Sequence, residues 1–255
     1  MTAALARTLS SVAAVAMTVA CTSYYEIPIE TPIRPKLDVS AFQRVLVAGF
    51  ISGGTDDVDG NLETTRLLRS QLRTKSEMRV IDTDVLPLMD VASESRAASD
   101  TAPEDENTPP GVIREDSDLE PYEHLFADVE YWKRIGEEYQ QPLIVTGTVM
   151  FAPQARSGIV QRDQEVYDSF GRRRVVPVRT YMERKGFVLK PRFIFIDGRT
   201  GTVLHSENFR EEILYNANQT SPALSSYFEL MDRLIPSFLS TLSSQKIKGT
   251  RILLQ

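Results

Sequence analysis

The chain has 255 residues, 42% of them hydrophobic, and a formal net charge of −6. This length suits one or two domains, and the apolar content is enough for a buried core, which excludes a wholly disordered polypeptide. The single cysteine, Cys21, excludes an internal disulfide, and no Cys or His lies near it at the spacing of metal ligands.

Residues 1–20 have the pattern of a secretory signal peptide. A single charge, Arg7, precedes an uncharged apolar stretch that ends at Ala20. This stretch is too short to cross a bilayer, because a spanning helix needs roughly 20 residues. Cleavage after it would leave Cys21 at the new N-terminus.

The residues "TVAC" that end at Cys21 resemble the lipobox of bacterial lipoproteins. The resemblance implies a covalent diacylglycerol on Cys21, no other cofactor, and attachment to a membrane through this lipid. Thr18 stands where the family usually has Leu, and Thr18 with Ala20 also fits ordinary signal cleavage, which leaves a secreted protein with a free thiol as the alternative. Thr22 is not the Asp that retains many lipoproteins in the inner membrane, so we expect the periplasmic face of the outer membrane.

Residues 21–41 are predicted to form an extended, lipidated tether. Three prolines, Pro28, Pro32 and Pro35, disfavour both a helix and a central strand. An edge segment lying against the domain is the alternative. The domain itself is predicted to span residues 42–250.

The domain begins with a strand, a loop and a helix. The run "RVLVAGFISGG" predicts the strand, and "NLETTRLLRSQLRTK" predicts a helix that Asn61 caps. "MRVIDTDVL" predicts a second strand. The loop carries Asp56, Asp57 and Asp59 and lacks the Gly-Lys-Ser/Thr of a phosphate-binding loop, so we interpret it as a solvated acidic loop without a ligand.

Residues 90–120 are predicted to form a disordered acidic insertion. They contain ten acidic and two basic residues, three prolines and few large apolar groups. From Cys21 onward the chain has 28 basic and 35 acidic residues, a net charge of −7. The insertion alone has a net charge of −8, so the rest of the chain after Cys21 carries about +1. This near neutrality argues against a nucleic-acid partner, which requires a concentrated basic face.

The second half of the domain predicts a helix, several strands and a final helix. One helix is expected from Pro121 to Pro142, followed by the buried strand "PLIVTGTVMFA". "GFVLKPRFIFIDGRTGTVLHSENF" predicts two strands joined by a turn at residues 197–201. The last helix is expected to begin near Ser221, to kink or break at Pro236, and to carry one apolar stripe. This stripe comprises Leu224, Phe228, Met231, Ile235, Phe238 and Leu242.

The order of these segments resembles the curli-assembly (CsgG-type) lipoprotein family over roughly residues 42–245. The matching positions are Val145, Thr146, Gly147, Asp197, Thr200 and Gly201. The resemblance implies an α/β fold, with a central mixed sheet flanked by about three helices, in a CsgG-like or anticodon-binding-like periplasmic domain. Relatives of that fold include pore-forming secretion lipoproteins and activators of peptidoglycan synthases.

Residues 158–184 lie where a pore-forming member would have a membrane-inserted hairpin. On the first arm neither face is apolar, and on the second only Val176, Val178, Thr180 and Met182 line up. We therefore expect a hairpin outside the membrane that turns near residues 169–172 and extends or projects from the sheet. Residues 154–192 contain ten basic and four acidic residues, a charge of +6. Arg172, Arg173 and Arg174 are therefore a candidate partner-binding site, which the acidic insertion is predicted to shield.

The sequence contains no motif of an enzyme. It lacks the nucleophile elbow, the zinc-protease signature and any Cys–His pairing, so we expect no catalytic residues, no metal and no enzymatic activity. The resulting hypothesis is a lipid-anchored envelope protein that acts as an assembly or export accessory through an envelope protein partner that the sequence does not identify. The alternatives are a regulator of peptidoglycan synthesis and a homo-oligomeric, ring-forming export channel of the outer membrane.

Overall fold

The computed structural model describes residues 24–98, 113–216, 219, 221–243 and 245–254. The signal segment, Cys21 and residues 99–112 of the acidic insertion lie outside the described residues. The described residues divide into two compact units, one within residues 35–243 and the other formed by residues 24–34 with 245–254.

The larger unit contains a mixed six-stranded sheet. Its strands are β2 (Arg44–Gly54), β3 (Arg79–Val80), β4 (Leu143–Tyr167), β5 (Arg173–Asp197), β6 (Val203–Asn208) and β7 (Glu211–Asn216). The order is β3-β2-β4-β5-β6, and β7 pairs with residues 184–189 of β5, which precede the part of β5 that pairs with β6. The pairs β2–β3 and β2–β4 are parallel, whereas β5 is antiparallel to β4, β6 and β7. The predicted α/β class with a central mixed sheet is confirmed.

Helices cover both faces of this sheet. One face packs against α1 (Gly60–Lys75) and α5 (Ala223–Leu242). The other packs against α2 (Leu88–Ala98), a 3₁₀ helix (Asp116–Tyr122), α3 (His124–Ala127) and α4 (Val129–Glu138). Strands that are buried on both faces have continuous apolar runs, which is why "RVLVAGF" and "PLIVTGTVMF" show no polar alternation. Within the described ranges, none of the helices combines the length and apolar character that a membrane crossing requires.

The single helix predicted between Pro121 and Pro142 was wrong. The structure breaks this segment into the 3₁₀ helix, α3 and α4, because the side chain of Asp128 accepts the backbone N–H of Tyr131 and begins a new helix there. The Trp132 indole then donates to the Leu125 carbonyl across the break, at 2.8 Å. The apolar spacing that suggested one helix is produced by three short elements packed on the same core.

The predicted bounds of the acidic insertion, 90–120, were also too wide. Its first residues belong to α2, where Leu88 and Ala92 are fully buried. Its last residues pack as well, since Ile113 and Leu119 are buried and the Ile113 carbonyl accepts the N–H of Gly54 at 2.8 Å. The few apolar residues near each end are enough to fix these segments on the sheet.

Other local predictions are corrected by the hydrogen bonds. Asp59, not Asn61, caps α1 by accepting the N–H of Leu62, while the Asn61 amide oxygen accepts the N–H of Phe50. The second predicted strand shrinks to β3. At α5, Pro222 rather than Ser221 is the N-cap, the helix continues through Pro236, and Leu224 of the predicted stripe is exposed.

The smaller unit contains a two-stranded antiparallel sheet. Strand β1 (Tyr24–Ile33) pairs along its whole length with β8 (Gln245–Leu254). The segment predicted as a tether is therefore a paired strand in this region. Its prolines are tolerated because a strand of a two-stranded sheet has one edge that needs no partner.

Candidate functional site

The six positions that carry the family resemblance lie at the base of the β4–β5 hairpin. Val145 and Thr146 are fully buried in β4, and the Thr146 hydroxyl donates to the Gly49 carbonyl of the neighbouring strand at 2.9 Å. Gly147 has a φ of +142°, and a Cβ there would lie 1.8 Å from the Arg192 carbonyl oxygen. Gly147 is thus required by the close approach of the strands, and the buried Val145 and Thr146 expose no reactive group.

The turn after β5 brings together Asp197, Thr200 and Gly201. The buried Asp197 carboxylate accepts the backbone N–H of Arg199 at 2.8 Å and also pairs with the Arg199 guanidinium, whose pKa it raises by hydrogen bonding. Gly201 has a φ of +75° and the Thr200 and Thr202 hydroxyls lie 2.7 Å apart. The Arg199 guanidinium also lies 4.9 Å from the Phe42 ring centroid. The side chains of this turn therefore hold the turn and its packing, in agreement with the predicted connection between two strands.

A shallow cavity of about 280 Å³ lies between the first loop and the acidic segment. Ser52, Thr55, Asp56, Asp59 and Ile113 are among its lining residues, and no basic side chain lines it. An anion would be repelled there. In the described part of the chain, no three His, Cys, Asp or Glu side chains meet in a way that could hold a metal ion.

The outer part of the β4–β5 hairpin is the exposed feature of the larger unit. We define the distal arm as residues 157–183. The pairing of β4 with β2 ends at Phe151, and the pairing of β5 with β7 ends at Arg184, so among the described strands both edges of the arm are open. The arm is thus a two-stranded ribbon that continues the central sheet outward.

The register of the arm sorts its side chains onto two faces, because directly paired residues of antiparallel strands share a face. The pairs Val160–Thr180, Arg162–Val178 and Val166–Arg174 define one of them. We call it the acid-free face, since none of its members is Asp or Glu. Its members are Gly158, Val160, Arg162, Gln164, Val166, Arg174, Val176, Val178, Thr180 and Met182.

The opposite side, which we call the mixed face, carries charges of both signs. It contains Asp163, Glu165 and Glu183 together with Arg173 and Arg179. Its most exposed apolar groups are Ile159 and Tyr181, at 72% and 67%, which are a directly opposed pair. The two faces therefore differ mainly in charge, because both expose apolar side chains.

The three predicted partner-binding arginines are separated by this arrangement. Arg172 pairs with Asp168 at 3.1 Å in the turn, and Arg173 pairs with Glu165 on the mixed face. Arg174 lies on the acid-free face with Arg162, and neither forms an ion pair within the described residues. Of the predicted cluster, Arg174 is therefore the arginine whose charge is not neutralised by any residue that the structure describes.

The turn of the arm is well ordered by Asp168. Its carboxylate accepts the backbone N–H groups of Arg172 and Phe170, both at 2.9 Å, and these bonds, the first above all, lower its pKa. Gly171 supplies the positive φ, +73°. Phe170 is 81% exposed, with the Arg172 guanidinium 5.4 Å from its ring centroid. The predicted turn at residues 169–172 is confirmed, since the last pair of the hairpin is Tyr167 with Arg173.

The acid-free face was missed in the sequence because each strand was assessed alone. Its apolar residues come partly from β4 and partly from β5, so neither strand shows a clean alternation. The signal that could have found it is the turn. Once Asp168 and Arg172 close the hairpin, the register follows and places four of the five valines of the arm, all except Val175, on one side.

Comparisons with known proteins assign no family to the chain. No family model matches it, and no curated protein matches it. The solved structures that resemble it include the lipoprotein GNA1162 from Neisseria meningitidis, at 11% identity and a TM-score of 0.34, covering 77% of this chain and 97% of that one. A putative neuraminyllactose-binding hemagglutinin homolog from Helicobacter pylori has 12% identity and a TM-score of 0.32, covering 84% and 88%. These scores carry no assignment to the curli-assembly family.

Proposed function

We propose that this protein is a lipid-anchored cell-envelope protein that acts as an assembly or export accessory and binds a partner protein through the acid-free face of its distal arm. The observation that carries the proposal is the charge and exposure of that face. Five apolar side chains lie together with two arginines that have no ion-pair partner among the described residues, and the face carries no acidic residue. The proposed role is non-catalytic.

The energetics of the arm support a binding role. A two-stranded ribbon is at best marginally stable alone, so an arm with two open edges gains from packing against another surface. Protein interfaces combine apolar contacts with arginine and contain few other charged residues at their centre. Val166 and Val176 are 43% and 42% exposed, which leaves their side chains available for such packing. The arginines favour a partner with carboxylates beside its apolar groups.

Two adjacent valines allow a matched test of this surface. Val176 lies on the acid-free face and Val175 on the mixed face, and both are exposed. A photo-crosslinking amino acid placed at position 176 in living cells is expected to capture a discrete partner, whereas the same residue at position 175 captures little. The mass of the captured species then separates an assembly partner from a peptidoglycan synthase and from a second copy of the chain.

Substitution tests the same point with the captured partner in purified form. Val176→Asp is expected to weaken binding by about tenfold or more, because the carboxylate must be desolvated among apolar groups. Val175→Asp is the control and should bind almost as well as the unaltered protein, with both variants melting at the same temperature. Equal crosslinking from the two positions, or equal affinity of the two variants, would contradict the assignment of the face.

The lipid anchor is a separate part of the proposal. It rests on the uncharged run before Cys21 and on "TVAC". Mass spectrometry of the membrane-extracted N-terminal peptide is expected to show a diacylglycerol on Cys21, and Cys21→Ala is expected to release or trap the protein. A free thiol at this position would remove the anchor from the proposal, and fractionation of the membranes tests the outer-membrane location.

A further inference from the structure

The ribbon formed by β1 and β8 has two unlike faces. Pairing of Ile27 with Arg251 and of Ile29 with Gly249 places these residues on one face, and alternation adds Ile33 to it. The other face carries the pairs Pro28–Thr250 and Glu30–Lys248, the latter joined by an ion pair of 3.9 Å. This second face also exposes Ile252, at 59%, opposite Glu26. The two faces therefore differ mainly in charge, because the first carries three isoleucines with one charged residue, Arg251, whereas the second surrounds a single isoleucine with charged side chains.

The isoleucines of the first face are exposed. Ile27, Ile29 and Ile33 are 37%, 39% and 45% exposed, although they lie in paired strands. A two-stranded sheet needs a further surface against which its apolar face can pack before it becomes stable. The ribbon therefore requires an occupant for that face.

The position of the ribbon in the sequence identifies the occupant. Only Thr22 and Ser23 separate Cys21 from the first residue of β1. Three residue steps span at most about 10 Å, so a lipid on Cys21 would hold the start of the strand at the bilayer surface. The tether also raises the local concentration of that surface, so that little additional binding energy is needed.

The size of the face argues against a second copy as the occupant. Ten residues at about 3.3 Å each, across two strands about 5 Å apart, give a face of roughly 300 Å². A stable protein interface buries about 800 Å² on each partner. The face is therefore too small to hold a dimer by itself. Membrane binding also scales with the apolar area buried, but a surface that the anchor already holds nearby needs less of it.

We propose that the isoleucine face of the β1–β8 ribbon lies in the interfacial layer of the lipid bilayer, as a second membrane contact beside the anchor. This inference rests on the lipid anchor of the proposed function. Ile27, Ile29 and Ile33 insert among the upper acyl chains, and Arg251 on the same face extends its guanidinium to the phosphate groups. The opposite face, with the ion pair of Glu30 and Lys248, remains in water.

Labelled cysteines test which face meets the lipid. A lipidated Cys21 has its only thiol consumed in the thioether, so Ile29→Cys and the control Thr250→Cys each provide a single labelling site. Each variant is purified with its lipid, labelled with an environment-sensitive nitrobenzoxadiazole dye, and reconstituted in vesicles of phosphatidylethanolamine and phosphatidylglycerol. Emission at position 29 is expected to shift to the blue and to be quenched by doxyl-labelled phosphatidylcholine. Emission at position 250 is expected to be quenched by iodide in the water.

The outcomes separate this inference from the anchor on which it rests. The mass of each labelled protein reports whether Cys21 carries the lipid, independently of the fluorescence. A lipidated protein whose position 29 is quenched by iodide as readily as position 250 would overturn the inference and leave the anchor intact. A blue shift at position 29 that disappears when the protein is diluted in lipid would assign the face to a second copy, and would also overturn it.

Discussion

The base and the distal arm of the β4–β5 hairpin are made from the same two strands in the same register, yet they have opposite surroundings. The base, residues 143–151 paired with 189–197, is almost entirely buried between helices on both sides. The distal arm has no helix on either face and no strand on either edge within the described residues. The comparison separates residues that hold the fold from residues that are available for binding.

The difference in composition follows from the difference in surroundings. At the base, β4 and β5 are apolar in consecutive positions, because both faces of the sheet are covered. In the arm, charged residues and valines are interspersed along both strands, and one of the two faces is free of acidic residues. Positions matched by the family resemblance lie at the base, and the surface proposed for function lies in the arm.

The largest difference in stability is expected when an aromatic residue of β5 is replaced by Ala, once at the base and once in the arm. Phe193, at the base, is fully buried and contacts Phe50, Phe209 and Phe238. Phe193→Ala is expected to lower the free energy of unfolding by about 3–5 kcal/mol, because it leaves a cavity in the core. Tyr181→Ala, in the arm, should change it by less than about 0.5 kcal/mol. Chemical denaturation of both variants measures the difference, and comparable losses would show that the arm is packed.

The next effect uses two glycines of β4. A Cβ on Gly147 would lie 1.8 Å from the Arg192 carbonyl oxygen, at a φ of +142°, whereas a Cβ on Gly158 meets no atom within 4 Å. Gly147→Ala is expected to cost about 2–4 kcal/mol, from backbone strain together with the displaced carbonyl. Gly158→Ala should be neutral or should stabilise the strand slightly. Thermal melts that rank the two variants in the opposite order would contradict the assignment of base and arm.

The sequence predicted the base well, because its signals are local. Continuous apolar runs identify strands that are covered on both sides, and "DGRTG" identifies the turn that joins β5 to β6. The buried stripe of α5 was also largely predicted, although Leu224 is exposed and Tyr227 and Leu230 are buried instead. A stripe fixes the period of a helix, but only the packed sheet fixes which neighbouring residues face it.

The features that the sequence did not predict depend on contacts between distant segments. The acid-free face requires the register between Val160 and Thr180, and the ribbon of the smaller unit requires that residues 245–254 pair with residues 24–33. The break before Val129 depends on Asp128, whose capping role competes with a helical pattern that continues through it. In each case, a tertiary or capping interaction selected one of several locally acceptable conformations.

A third, smaller effect compares the turns at the two ends of β5. Gly171, in the arm, and Gly201, at the base, have nearly equal φ values of +73° and +75°. A Cβ on Gly171 meets nothing within 4 Å, whereas one on Gly201 would lie 2.1 Å from the Val129 carbonyl oxygen. Gly171→Val is expected to cost about 1 kcal/mol from strain alone, and Gly201→Val at least about 1 kcal/mol more. Equal melting temperatures for the two variants would show that the base tolerates a displacement of α4.

The smallest effect concerns the acidic insertion and the basic hairpin. The described end of the insertion reaches the base rather than the tip, since Asp116 pairs with Lys190, and nearby Glu123 pairs with Arg192. Residues 99–112 carry four acidic and no basic residues, and they are the part left to approach Arg162 and Arg174. Shielding of the arm by this segment remains a prediction.

Replacement of residues 99–112 by a neutral Gly/Ser linker of the same length tests that shielding without disturbing α2 or the packed Ile113. Binding to isolated cell-wall sacculi or to an acidic polymer is expected to rise a few-fold at low salt. The gain is expected to vanish at physiological ionic strength, because exposed ion pairs contribute only about 0–1 kcal/mol each and are screened beyond roughly 8 Å. A variant in which Arg162 and Arg174 are both replaced by Gln should lose the gain, since the segment would then have no charge on the acid-free face to neutralise. Equal binding with the native segment and the linker at both salt concentrations would show that the acidic residues are solvated independently of the arm.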